Sequence, residues 1–309
     1  MSMKPTVFIC GATGSQGGAL AHQLRAMDWA VHATVRNLES GPAKLLKAAG
    51  VQLTQGDWDD AAALKSAMTG CDKLFLCLLP DFSDMNRERR QAEAIVKIAQ
   101  AAGVGQVVAS TSLGVFTLDD IEAKEHIVPE SFMAGHLAGK KGVEESVRRG
   151  GFQYWTFLRP SFFMANFLEP KVARYPEPRD KGTWTTAMTP ETLLALIDHV
   201  DIASFAAGVF QDPERFHGQA IGLASDMLSV QDTLTTLGEA AGRPLKAVFL
   251  TDDEISENQK TSNVFTNSQI SMRYMSRYID MNGVASVIRP TSFKNFLERE
   301  RETVKATYS

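Results

Sequence analysis

A chain of 309 residues that is 44% hydrophobic and 22% charged has the profile of an ordinary globular protein able to bury a sizeable core. A net charge of −4 gives no basic footprint for nucleic acid or an anionic membrane, and no apolar stretch approaches the length that spans a bilayer. The opening MSMKPTVFIC lacks the apolar core and cleavage site of a secretory signal, so a cytoplasmic protein is expected.

Residues 6–10, TVFIC, read as a strand that ends at a glycine turn, and Leu20, Leu24 and Met27 follow at helical spacing. AVHATVR (30–36) alternates Val31, Ala33 and Val35 inward as a second strand. A helix end at Gly50 and a third strand at 51–55 come next. DKLFLCLLP (72–80) is a near-continuous apolar run, the pattern of a strand covered on both faces. A helix over roughly 84–102, a strand in GQVVASTSLG and a sixth strand starting near 154 complete the rhythm. This alternation predicts an α/β protein with a doubly wound parallel sheet of the Rossmann type.

Past residue 160 the rhythm breaks. The segment 175–184 is turn-rich, PETLLALIDHVDIASFAAGVF (190–210) looks helical, and GQAIGLAS suits a late strand. TSFKNFLERERETVKA reads as an amphipathic helix with Thr291 as its N-cap. The expected division is a dinucleotide-binding domain over 1–160 and a smaller, mostly helical substrate-binding portion over 161–309, with some elements returning to the sheet.

ICGATGSQGGAL carries Gly11, Gly14 and Gly17 between a strand and a helix, where glycines let the backbone turn tightly and bring helix amides to a pyrophosphate. The Gly-x-x-Gly-x-x-Gly spacing resembles the extended and atypical branches of the short-chain dehydrogenase/reductase superfamily. At the end of the second strand, where an acidic residue would bind a ribose 2′-hydroxyl, stand Arg36 and Asn37. An arginine there suits a 2′-phosphate and favours NADP over NAD, although a solvated strand-end arginine has the same sequence appearance. Asp57 is placed to accept from an adenine amino group with Trp58 beside the ring, or to cap the next helix. Cys10, Cys71 and Cys77 form an odd set without paired spacing and read as core residues. His22, His126, His199 and His217 show no metal-ligand spacing, and no metal is expected.

Superfamily members ordinarily use a Tyr with Lys four residues on, but Tyr154, Tyr175, Tyr274, Tyr278 and Tyr308 all lack that lysine. His136 and Lys140 have the spacing instead. GATGSQGG, VRN, GDWDD, HLAGKKGVEESVR and LRPSFFMANF occur in an order that resembles the NmrA-like family, over most of the chain and more loosely after about residue 230. The resemblance implies NADP(H) bound by Gly11, Thr13, Gly14, Ser15, Gln16 and Gly17, by Arg36 and Asn37, and by Asp57 with Trp58. It also implies Leu79 and Pro80 along the cofactor, Lys140 on the nicotinamide ribose, and Phe163 and Asn166 near the nicotinamide.

The family contains both NADPH-dependent reductases and non-catalytic redox sensors that bind a regulatory protein. As a reductase of a hydrophobic carbonyl, quinone or enone, this chain would use His136 as proton donor, since its side chain ordinarily titrates near neutrality, with Lys140 holding the ribose and Ser112 hydrogen-bonding substrate. A structural role for His136 and a local backbone contact for Ser112 fit the same residues. The partner is then a small hydrophobic substrate or a regulatory protein.

Overall fold

A computed structural model describes residues 4–81, 83–260 and 264–309. The first half alternates strand and helix: β1 (Thr6–Ile9), α1 (Ser15–Ala26), β2 (Ala30–Val35), α2 (Gly41–Ala48), β3 (Gln52–Gln55), α3 (Ala61–Met68), β4 (Lys73–Leu76), α4 (Arg87–Ala101) and β5 (Gln106–Ser110). A short α5 (Ile121–Lys124) and a long α6 (Phe132–Arg149) precede β6 (Tyr154–Pro160). Then come β7 (Phe162–Phe163), α7 (Glu177–Lys181), β8 (Thr183–Thr186), β9 (Leu193–Ile197), α8 (His199–Gln211), β10 (Ala220–Leu223), β11 (Asp226–Ser229) and β12 (Lys246–Phe249). Helices at Val230–Ala241, Asp252–Lys260, Val264–Met272, Phe293–Arg299 and Arg301–Tyr308 lie in the C-terminal part.

Seven strands form a parallel sheet in the order β10-β6-β5-β4-β1-β2-β3. The chain builds outward from β1 through β2 to β3, then restarts on the other side of β1 with β4. The carboxyl ends of β1 and β4 therefore flank the switch point where open α/β sheets bind ligands. The strand at 72–80 stops at Leu76, and the helix expected over 84–102 occupies Arg87–Ala101. The late strand at GQAIGLAS is β10, which extends the sheet beside β6 through Phe157 N–Gln219 O and Ser161 N–Leu223 O bonds of 2.9 and 3.0 Å.

The chain separates into two compact units. One comprises residues 1–112, 138–159 and 202–221, and the other 113–137, 160–201 and 222–309, so one division falls inside α6. The first unit buries Phe8, Leu64, Leu74, Leu76, Val107 and Phe157 among the layers of sheet and helix. The second has its own core of Phe162, Phe167, Trp184, Leu234, Phe293 and Phe296, together with small sheets ordered β11-β9-β7 and β12-β8. Each fully buried phenylalanine contributes about 1.5–3 kcal/mol through apolar area removed from water.

Two local expectations are corrected. In the stretch 190–210, Leu193–Ile197 is a strand between β11 and β7, and the helix starts only at His199. A short apolar run buried on both faces has the same sequence appearance as a buried helix. The segment expected as one C-terminal helix forms two, Phe293–Arg299 and Arg301–Tyr308, and the first is capped by Ser292, whose Oγ accepts from Asn295 N at 3.2 Å. Thr291 instead donates from its N and Oγ1 to Asp201 at 2.7 and 3.0 Å.

Asp198, fully buried at the end of β9, accepts from Arg299 at 2.6 and 3.2 Å and from Val200 N at 3.1 Å. Burial pushes its carboxyl up, but the hydrogen bonds from His199, Arg299 and Val200 outweigh it and hold the pKa at about 2. A depressed carboxyl contributes stability above its unfolded pKa of about 4 that is lost as pH falls through the folded value. Asp198→Asn should therefore lower the denaturation midpoint at pH 7, with the deficit narrowing below about pH 4. A deficit that is constant down to pH 3 would refute the linkage.

Candidate functional site

At the end of β1, Cys10 N donates to Phe75 O at 2.9 Å and continues the pairing with β4. Gly11 then turns with φ of +74°, a left-handed conformation that side-chain-bearing residues seldom adopt. Gly14 N donates back to Gly11 O at 2.9 Å, and the chain enters α1. Gly17, in the first turn of α1, lies directly on this bend: a Cβ there would stand 2.4 Å from Gly11 O and 2.7 Å from Gly11 C. Thr13, Gly14 and Ser15 are exposed, and no side chain caps α1. Its first-turn amides and the positive end of its dipole therefore form an anion-binding terminus. Gln16 is half-buried, and its Oε1 accepts from Ser110 Oγ, at the end of β5, at 2.6 Å.

Other strand ends converge on the same bend. A Cβ on Gly11 would stand 3.2 Å from Cys77 O and 3.7 Å from Trp58 Cζ2, so the loops after β3 and β4 wall the glycine turn. Trp58 is half-buried against the core of this unit. Asp57 is exposed and accepts from Asp59 N and Asp60 N at 2.9 and 3.0 Å. The cap of α3 is Asp60, which accepts from Ala62 N and Ala63 N. Past β2, Arg36 is exposed, with no hydrogen bond or ion pair on its guanidinium among the described residues. Asn37 is exposed and folds the adjoining turn, its Oδ1 accepting from Glu39 N at 2.8 Å and its carbonyl from Ser40 Oγ at 2.9 Å. Leu79 is 70% exposed and Pro80 is half-buried, both on the loop after β4.

Lys140, on α6, is 6% exposed; its ammonium donates to Leu78 O at 2.9 Å and to Glu88 Oε1 at 2.6 Å. Ser112, two residues past β5, is half-buried in the same unit. His136, Phe163 and Asn166 belong to the second unit, all half-buried. His136 stacks on Phe132 with ring centroids 5.9 Å apart, and Lys171 Nζ lies 5.3 Å over the Phe163 ring.

Two buried ionic groups escaped sequence reasoning. Glu88 is one. The other is Glu144, which receives Arg159 Nε and Nη2 at 2.9 and 2.7 Å and Thr111 Oγ1 at 2.9 Å. Both carboxylates sit among many charges on helical surfaces, and nothing in RERRQAEA or KGVEESVRR marks which glutamate turns inward.

The cysteines are poor nucleophiles. Burial pushes Cys10 well above the usual thiol range and Cys71 up to about 12. Cys77 rises to about 11 by burial, with Lys140 pulling it down and Glu88 pushing it up. No cluster of three or more His, Cys, Asp or Glu residues suited to a metal occurs among the described residues, and no helix there is long and apolar enough to cross a membrane.

The chain is 29% identical over 260 residues to the NmrA-like family domain-containing oxidoreductase himF of Aspergillus japonicus, covering 79% of this chain and 75% of that protein. It is 28% identical over 254 residues to an NAD(P)H azoreductase of Xenophilus azovorans, covering 81% and 79%. Among solved structures, the NADPH-dependent quinone oxidoreductase QOR2 of Escherichia coli complexed with NADPH superposes with a TM-score of 0.71 over 95% of this chain and 99% of that one, at 20% identity. The glycine bend, the restart of the sheet beside it and the motifs along α6 and β6 thus have one common explanation. The NmrA-like family profile matches residues 3–299, and the chain belongs to that family.

Proposed function

We propose that this protein is an NADPH-dependent oxidoreductase that reduces a hydrophobic carbonyl, quinone or enone, working in the cytoplasm. The observation that carries the reading is the uncapped α1 terminus behind a glycine bend that a single Cβ would fill. That cradle fits a pyrophosphate, and the unengaged, exposed Arg36 beyond β2 supplies the cation that a 2′-phosphate requires. Two relatives that this chain matches over about four-fifths of its length are named as an oxidoreductase and an NAD(P)H azoreductase.

In this reading Gly11, Thr13, Gly14, Ser15, Gln16 and Gly17 hold the pyrophosphate, and Arg36 with Asn37 holds the 2′-phosphate. Asp57 and Trp58 take the adenine, while Leu79 and Pro80 border the dinucleotide. Lys140 serves the nicotinamide ribose, and Phe163 and Asn166 the nicotinamide. NADPH, when bound, supplies a hydride. His136 supplies the proton that balances it at the substrate oxygen, and Ser112 hydrogen-bonds that oxygen. A tyrosine is not needed where an imidazole carries the proton.

The test is NADPH oxidation followed by stopped-flow absorbance against a panel of quinones and enones, with His136→Ala and Lys140→Ala alongside. Turnover that both variants suppress supports hydride transfer with His136 as the acid. Tight NADPH binding without turnover across the panel would assign the chain to redox sensing with a regulatory protein. Arg36→Ala should raise the Kd for NADPH about 10- to 100-fold, the range expected for losing a charge-assisted hydrogen bond, while leaving NADH nearly unchanged. Equal losses for both nucleotides would remove the 2′-phosphate assignment.

A further inference from the structure

The Lys140–Glu88 ion pair is buried behind the loop that walls the glycine bend. Glu88 is 2% exposed and lies in the first turn of α4, where the helix dipole favours an anion. Two glycines of α6 bring that turn close. A Cβ on Gly139 would stand 3.2 Å from Glu88 Oε2, and one on Gly142 would stand 3.0 Å from both Arg89 Cγ and Cδ. The second acceptor on Lys140, Leu78 O, belongs to the residue after Cys77, whose own carbonyl walls Gly11. The ammonium is thus held at the inner wall of the proposed dinucleotide loop by one carboxylate and one carbonyl. An ammonium has three donors, and among the described residues two have protein acceptors.

Resting on the function proposed above, we propose that Glu88 is the positioning residue for Lys140: with Leu78 O it fixes the ammonium on two points, so that its third N–H serves the ribose of the nicotinamide half. A lone lysine has a flexible four-carbon stem and loses rotamer freedom when a ligand orders it. Glu88 imposes that order before the dinucleotide arrives. It touches neither cofactor nor substrate and acts only through Lys140.

The experiment compares NADPH with adenosine 2′,5′-bisphosphate, which carries the adenylate and 2′-phosphate but lacks the nicotinamide ribose. Both are titrated by intrinsic fluorescence against the wild type, Glu88→Gln, Lys140→Met and the double variant. Glu88→Gln keeps the side-chain shape and removes the charge. It should raise the Kd for NADPH about tenfold and leave that for the bisphosphate within about twofold. The double variant should bind NADPH no more weakly than Lys140→Met alone, since a residue acting through another adds no second loss. If Glu88→Gln fails to fold, Glu88→Asp, which withdraws the carboxylate by one methylene, carries the same expectation.

Unchanged NADPH affinity, an equal loss for the bisphosphate, or losses that add in the double variant would each overturn the role of Glu88 while leaving the functional reading intact. Failure of the wild type to bind NADPH would overturn both.

Discussion

Gly17→Ala is expected to raise the Kd for NADPH at least 100-fold, the largest single-site effect on binding in this chain. The added Cβ would stand 2.4 Å from Gly11 O and 3.0 Å from Ala12 Cα, and its neighbours are backbone atoms, not the end of a flexible side chain. That backbone is held on both sides of the contact, by Cys10 N on Phe75 O and by Gly14 N on Gly11 O, each at 2.9 Å. Relief requires α1 to withdraw, which carries its first-turn amides away from the pyrophosphate they would bind. Losing two or more charge-assisted bonds at about 1.5–3 kcal/mol each accounts for a factor of this size.

Gly14→Ala is the control. Its Cβ would lie 3.2 Å from Gly11 O, Gly14 has an ordinary φ of −90°, and the residue is exposed, so only a severalfold loss is expected. Isothermal titration with NADPH distinguishes the two. Comparable affinities for Gly17→Ala and the wild type would show that this loop does not carry the dinucleotide.

Arg159→Met should be the most destabilising substitution of a charged residue, lowering the unfolding free energy by about 3–5 kcal/mol because it leaves a buried carboxylate uncompensated. Arg159 is 4% exposed and Glu144 2% exposed, and the guanidinium meets the carboxylate in a two-point fork. Arg148 does not replace it: its guanidinium is 4.0 Å from Glu144 and its side chain 48% exposed, a geometry worth little. The pair, with Thr111, ties together the ends of β5 and β6 and the middle of α6. Glu144→Gln/Arg159→Met should recover part of the loss, because the stranded charge is gone. Urea denaturation of the two single variants and the double variant measures this. Additive losses would show that the fork contributes nothing as a pair.

The legibility of each part follows from the range of the forces involved. The strand-loop-helix at residues 6–26 is readable because alternation, glycine placement and helical spacing act over a few neighbouring positions. The inward set Val31, Ala33 and Val35 is buried as the alternation requires. At 190–210 the same reasoning fails, since LLALI has no period that separates strand from buried helix, and pairing with β11 and β7 decides the outcome. Thr291 and Ser292 are equivalent capping residues in sequence, and only the carboxylate of Asp201 draws Thr291 out of the capping position.

By itself the sequence determined the α/β class, the glycine bend, the arginine at the end of β2 and the absence of a Tyr with Lys four residues on. These are properties of residue type and short spacing. Tertiary structure alone decided that Lys140 is buried on Glu88, that Glu144 turns inward to Arg159, and that Trp58 and Cys77 wall the glycine turn. Those contacts join residues separated by between 15 and 66 positions, and they exist only once the sheet brings its strand ends together.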